Sequence, residues 1–220
     1  GGGLTPSISM WNAVLAGCAR AGAIREAEAM LENLLTSTSG TCTATTVTFN
    51  TLLHAYLPNW AGGESQEARI RRSDALLKRM EELDVPRDRA TYHALVGLHS
   101  IDAPRVLRLM HEAESSAVRL DSRTYARAAR ALWWAKLPAE AWQLHVRMRE
   151  LGIKADADYF ATAIIAAESV QCFDDADKLH REASASNLGA ALSEILAQKS
   201  ALRHARSLYG ASLHRNDGSN

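Results

Sequence analysis

An aromatic residue returns five times along this chain, at Trp11, Phe49, Tyr92, Tyr125 and Phe160, with intervals of 38, 43, 33 and 35 residues. Apolar or small residues follow each one three, four and seven positions on: Val14, Leu15, Cys18; Leu52, Leu53, Tyr56; Leu95, Val96, His99; Ala128, Ala129, Leu132; Ala163, Ile164, Ala167. That spacing marks one face of an α-helix, here called helix A. A second stripe with the same steps follows in every period, beginning at Ala27, Ser73, Val106, Ala141 and Ala176, and defines a helix B. The small residue that opens most of these stripes lets the two helices approach closely, and the ring fills the wedge between them. Self-similarity at this period is the signature of stacked repeats, because a lone helical hairpin cannot bury both of its apolar faces.

The predicted fold is therefore all-α, an α-solenoid of about five helix-turn-helix repeats with a C-terminal capping helix. The repeats are expected over 8–45, 46–88, 89–121, 122–156 and 157–191, the second with a loop insert at 58–70. A tail of a preceding repeat or a linker occupies 1–7, the capping helix 192–213 and a disordered end 214–220. Gly22, Pro138 and Gly152 fall where a hairpin needs breakers. Asp88, Asp121 and Asp156 each stand just before a helix A, where a carboxylate caps free N–H groups and meets the positive end of the helix dipole.

Composition narrows the function classes. With 47% apolar residues the chain can fill a core, and its 25 Lys and Arg balance 25 Asp and Glu, so any basic surface is local. A modest basic excess lies between residues 100 and 156. No run approaches the roughly 20 apolar residues of a membrane span. Cys18, Cys42 and Cys172 form no CxxC pair, and the His residues show no metal spacing, which gives no metal site and no cofactor. His180-Arg181-Glu182 matches half of a nucleobase deaminase site, but no PCxxC follows it. No phosphate loop or nucleophile elbow is present, so the expectation is a non-enzymatic chain with no catalytic residues and no small-molecule substrate. His145 and His180 sit in helix B stripes as half-buried packing residues.

The segments TVTFNTLL, VPRDRATYHALV and RMRELGIKAD resemble the consensus of the pentatricopeptide repeat (PPR) family, and the five units cover over four-fifths of the chain. The resemblance implies a protein of an organelle, mitochondrion or plastid, that binds single-stranded RNA at one nucleotide per repeat. It implies that the residue after the aromatic and the last residue of the repeat read a base edge together, while the residue two before the aromatic packs on the base face. Carried over, the readers pair as Asn12 with Thr45, Asn50 with Asp88, His93 with Asp121, Ala126 with Asp156 and Ala161 with Ala191. Asn50 with Asp88, beside Val47, is the complete code and suits uridine. Ala126 and Ala161 carry no side-chain donor or acceptor. A Lys or Arg late in helix A is expected on phosphate; Arg20 fits, whereas Pro58, Ile101, Trp134 and Ser169 hold the matching places.

Each of these positions also has a plainer reading. Asn12 and Asn50 could serve local hydrogen bonding at a helix start, and the terminal Asp residues could be caps alone. Arg123, Arg127 and Arg130 share one helical face, either a phosphate-binding stripe or a solvated surface; Lys199, Arg203 and Arg206 form a similar stripe in the last helix. Trp60, Trp133 and Trp134 could pack inside or anchor a partner. Two functions stand open: an RNA-binding protein holding single-stranded RNA on the concave face, or a scaffold subunit of a large organellar assembly such as a ribosome, contacting other proteins or structured RNA.

Overall fold

The computed structural model describes residues 6–36, 43–57 and 64–198. All regular structure among them is helical: α1 (Ile8–Arg20), α2 (Ile24–Thr36), α3 (Thr46–Ala55), α4 (Gln66–Glu82), α5 (Arg89–Leu98), α6 (Ala103–Ser115), α7 (Ser122–Trp134), α8 (Pro138–Glu150), α9 (Ala157–Ser169) and α10 (Phe173–Ala185). Residues 189–198 form a further helix, α11. The all-α solenoid class expected from the periodicity is the class observed. The chain divides into two compact units, Gly1–Thr124 and Tyr125–Asn220.

In the first unit α3 packs on α1, α2, α4 and α5, and α5 packs on α4 and α6. The odd-numbered helices thus lie side by side in one layer, with the even-numbered helices behind them. Phe49 is 0% exposed and Tyr92 1%, each seated among the leucines of its own stripe (Leu52 and Leu53, Leu95), while Trp11 is half-buried. Full burial of such a side chain stabilises by about 1.5–3 kcal/mol. Val14, expected on the apolar face, is exposed. In the second unit Tyr125, Phe160, Tyr159 and Trp133 are buried, and α9 packs on α10.

Seven of the helix ends follow one rule. After α1, α4, α6, α7, α8, α9 and α10 a single residue takes positive φ: Gly22, Asp84, Ala117, Lys136, Gly152, Gln171 and Asn187. The next N–H then reaches back to a carbonyl five residues earlier, from Ala23 to Cys18, Val85 to Met80, Val118 to Ala113, Leu137 to Leu132, Ile153 to Met148, Cys172 to Ala167 and Leu188 to Ala183. This is the Schellman closure, and the residue that follows the left-handed one is half-buried in every case. Only two of the seven are glycine, so five turns accept a left-handed L-residue that costs roughly 1 kcal/mol.

The insert expected over 58–70 ends earlier than the breakers suggest. Ser65 accepts from the Ala68 N–H and starts α4 at Gln66, a segment of good helix formers. The helix expected over 192–213 begins within α11; its remainder and the tail lie outside the described residues.

Two buried tyrosine hydroxyls of the first unit are each matched to a carboxylate. Tyr56 donates to Glu28 Oε1 (2.7 Å), and Arg72 bridges Glu28 and Glu64. Tyr92 donates to Glu112, which also pairs with Arg87. Burial, then the neighbouring carboxylate, pushes the Tyr56 phenol far above its ordinary value.

Candidate nucleic-acid interface

Thr45, Asp88, Asp121 and Asp156 precede four of the helix A segments, and Thr48, Thr91 and Thr124, all fully buried, stand just before three of the aromatics. The pairing is a reciprocal cap. Asp88 Oδ1 accepts from the Thr91 N–H (2.9 Å), while the Asp88 N–H donates to Thr91 Oγ1 (3.1 Å). Thr48 Oγ1 receives the Thr45 N–H at 3.1 Å in the same way.

This cap ties one helix to the next. Asn50, on α3, donates from Nδ2 to Asp88 Oδ1 at 2.9 Å and accepts at Oδ1 from the Thr91 hydroxyl at 2.7 Å. Asn50 is 6% exposed, and Val47, one turn earlier, is 60% exposed beside it. Three of the predicted readers are therefore together: two joined by a hydrogen bond, with an apolar surface next to them. The amide keeps one N–H and one lone pair for another partner.

One helix further on the arrangement repeats with different chemistry. The Thr124 hydroxyl donates to Asp121 Oδ1 (2.8 Å), so His93 Nδ1, 3.0 Å from that oxygen, supplies the hydrogen between them. His93 and Asp121 thus share Thr124 as a common partner. At the other end, Asn12 Oδ1 is buried and has no hydrogen-bond partner among the described residues. Asn12 and Thr45 are joined by no hydrogen bond of the Asn50–Asp88 kind.

The expected phosphate-binding residues are scattered. Arg20 is exposed and borders a cavity of about 230 Å³ between α1 and α3, lined also by Ala16, Thr51 and His54. The His54 and His93 rings lie 6.3 Å apart on the same layer. Arg123 is exposed and reaches Asp121 Oδ2 at 3.4 Å. Arg127 and Arg130 are half-buried on α7. Lys199, Arg203 and Arg206 lie outside the described residues, as do Trp60 and Cys42. Among the described residues no group of His, Cys, Asp and Glu converges to hold a metal, and no helix is long and apolar enough to cross a membrane. His145 is fully buried rather than half-buried, with both ring nitrogens engaged.

Thr48, Thr91 and Thr124 are the residues that sequence reasoning passed over, although a Thr directly before an aromatic was visible in TFN, TYH and TYA. Their effect is electrostatic as well as geometric. Burial pushes the Asp88 carboxyl up, but hydrogen bonds from the Thr91 N–H, the Asn50 amide and the Ala90 N–H, with the Thr91 side chain beside them, together leave it below its ordinary value. Asp121 behaves alike, with burial opposed by Thr124, His93 and Arg123. A carboxylate held below its unfolded value of roughly 3.9 contributes stability that is complete above about pH 5 and lost as pH falls through the folded value. The melting temperature of Asp88→Asn should therefore lie furthest below that of the native chain near neutrality, and the two should converge in acid; a gap that widens below pH 4 would contradict this.

Residues 9–37 match the family model for the PPR repeat. None of the curated proteins matches the chain significantly. Among solved structures, the PPR domain of Arabidopsis thaliana protein-only RNase P 1 (PRORP1), in complex with tRNA, is similar with TM-score 0.65 and 15% identity over 79% of this chain and 87% of that one. Nuclear proteinaceous RNase P 2 (PRORP2) from A. thaliana gives 0.62 and 17% over 80% of this chain and 38% of its own length. The pentatricopeptide repeat protein PPR10 in complex with an 18-nt psaJ RNA element gives 0.63 and 18% over 90% of this chain, which spans 29% of PPR10; PPR10 is a maize protein. The chain carries a PPR repeat at residues 9–37 and has the all-helical fold of solved pentatricopeptide repeat proteins.

Proposed function

We propose that the chain is a non-catalytic RNA-binding protein of the PPR kind, holding single-stranded RNA along the layer formed by α1, α3 and α5. The Asn50–Asp88 hydrogen bond carries this reading. It fixes the amide plane before any ligand arrives, so little ordering cost remains on binding. The amide's remaining donor and acceptor complement the N3–H and carbonyl edge of uracil, and Val47 offers the base a face. Asn12, with an unmatched acceptor at the equivalent place on α1, supports a second nucleotide position. Arg20 and the His54–His93 pair supply donors for the backbone between them. The PPR proteins with this fold include two crystallised with RNA.

The test is affinity for an oligouridine against a scrambled strand of equal length. The native chain should prefer uridine, with affinity falling steeply as salt rises, and Asn50→Ala should weaken uridine binding by about tenfold, the scale of one lost base contact. Asn50→Ala with unaltered preference would remove the assignment. The bare Ala126 and Ala161 favour a second reading, a scaffold in an organellar assembly that contacts protein or structured RNA; equal, weak binding to every strand is its expected result. The organellar placement, mitochondrion or plastid, rests on the resemblance, and import of a fluorescent fusion of the complete protein tests it.

A further inference from the structure

We propose that Arg130 and Trp134, near the C-terminal end of α7, form a further nucleotide site, with an unpaired base stacked at the Trp134 ring and its phosphate on the Arg130 guanidinium; this rests on the RNA-binding reading above. Arg123, Arg127, Arg130 and Trp134 follow one another at steps of four, three and four, which places them on one face of the helix. Tyr125, the wedge, points the other way. Trp134 stands nine residues after Tyr125, the register that Arg20 holds relative to Trp11, so here a flat ring replaces a cation and the cation sits one turn earlier.

Three observations give this pair a ligand. Trp134 is 56% exposed, the bulkiest of the exposed apolar side chains among the described residues, while its neighbour Trp133 is 1% exposed and fills the core. The Arg130 guanidinium lies 5.3 Å from the centre of the Trp134 ring, in cation–π range. Arg130 is also half-buried, its Nε is enclosed without a hydrogen-bond partner, and no described carboxylate pairs with it, whereas Arg72, Arg87, Arg147 and Arg149 all meet a Glu. Burial pulls its pKa down, yet a guanidinium stays charged. A partly desolvated cation with no counter-charge, fixed beside an exposed ring, suits a ligand that offers an anion and a flat face one sugar apart. That is a nucleotide of a single strand. The neighbouring Arg127 and Lys136 favour a polyanion over the apolar rim of a protein contact.

Binding of a fluorescent oligouridine at several salt concentrations tests this. Arg130→Ala should weaken binding about tenfold and flatten the slope of log K against log salt by about 0.7, one phosphate contact on a single strand. Trp134→Ala should weaken binding by a similar factor with the slope unchanged, and Trp134→Phe, which keeps a stacking face, should stay within about twofold of native. If the native chain binds and both alanine variants bind equally well, this face belongs to a protein partner and the inference falls while the RNA reading stands. If Trp134→Phe binds as poorly as Trp134→Ala, stacking is not the mechanism and the inference falls too. A native chain with no RNA affinity sinks both.

Discussion

Phe49→Ala should cost about 3–5 kcal/mol, enough to melt the first unit well before the second. The ring is 0% exposed and sits on α3, the helix that touches α1, α2, α4 and α5. Truncation removes its transfer free energy and leaves a cavity that four packed helices cannot all close at once. Hairpin stacks gain stability from neighbour interfaces, so the damage spreads along the unit. Denaturation followed by circular dichroism should split into two transitions, with the early one assigned to the first unit by hydrogen exchange. Trp11→Ala, at a half-buried ring, should cost clearly less. A Phe49→Ala chain that melts like the native one would show that the ring is not the wedge.

His145→Ala should cost about 3 kcal/mol in the second unit. The imidazole is 2% exposed and connects three helices, with Nδ1 2.9 Å from the Tyr159 hydroxyl of α9 and Nε2 2.8 Å from Glu182 Oε2 of α10. A carboxylate accepts only, so Nε2 carries a hydrogen, and in the neutral ring the Tyr159 O–H donates to Nδ1. Burial pushes that phenol far above its ordinary value, so it remains a donor at any physiological pH. Removing the ring leaves a void and strands a buried hydroxyl, and an unmatched buried donor alone costs about 1–3 kcal/mol. The double variant His145→Ala, Tyr159→Phe should therefore recover roughly 1 kcal/mol over His145→Ala. If the tyrosine change adds further loss instead, the stranded hydroxyl is not the reason for the damage.

What the sequence could and could not reveal follows from range. The ring positions recur along the chain, and the stripes and capping Asp residues are set by neighbours within a turn or two, so all of these are legible in the sequence. The Asn50–Asp88 pairing spans 38 residues and is legible only through the family resemblance, whereas His145–Glu182 spans 37 with no such guide, so composition gives no hint that His145 is wholly enclosed. Trp133 and Trp134 were a missed inference rather than an invisible one. At about 100° per residue, Trp134 falls half a turn away from Tyr125 and Trp133 does not. The start of α4 was missed because GGESQ reads as loop, although Ser followed by Gln-Glu-Ala is a cap before helix formers. Five of the left-handed turns carry no glycine, and the signal they share is an apolar residue directly after the turn.

Those recurrent closures set how the chain can be made. Every one joins atoms five residues apart, so each turn closes without a contact distant in the chain, while burial of the hairpin faces still waits on a neighbour. A growing polypeptide can therefore close its turns one after another as each rod is laid down. Duplicating or deleting a segment cut from one such turn to the matching turn of the next hairpin would preserve these closing bonds, so the length of the chain is adjustable in whole steps.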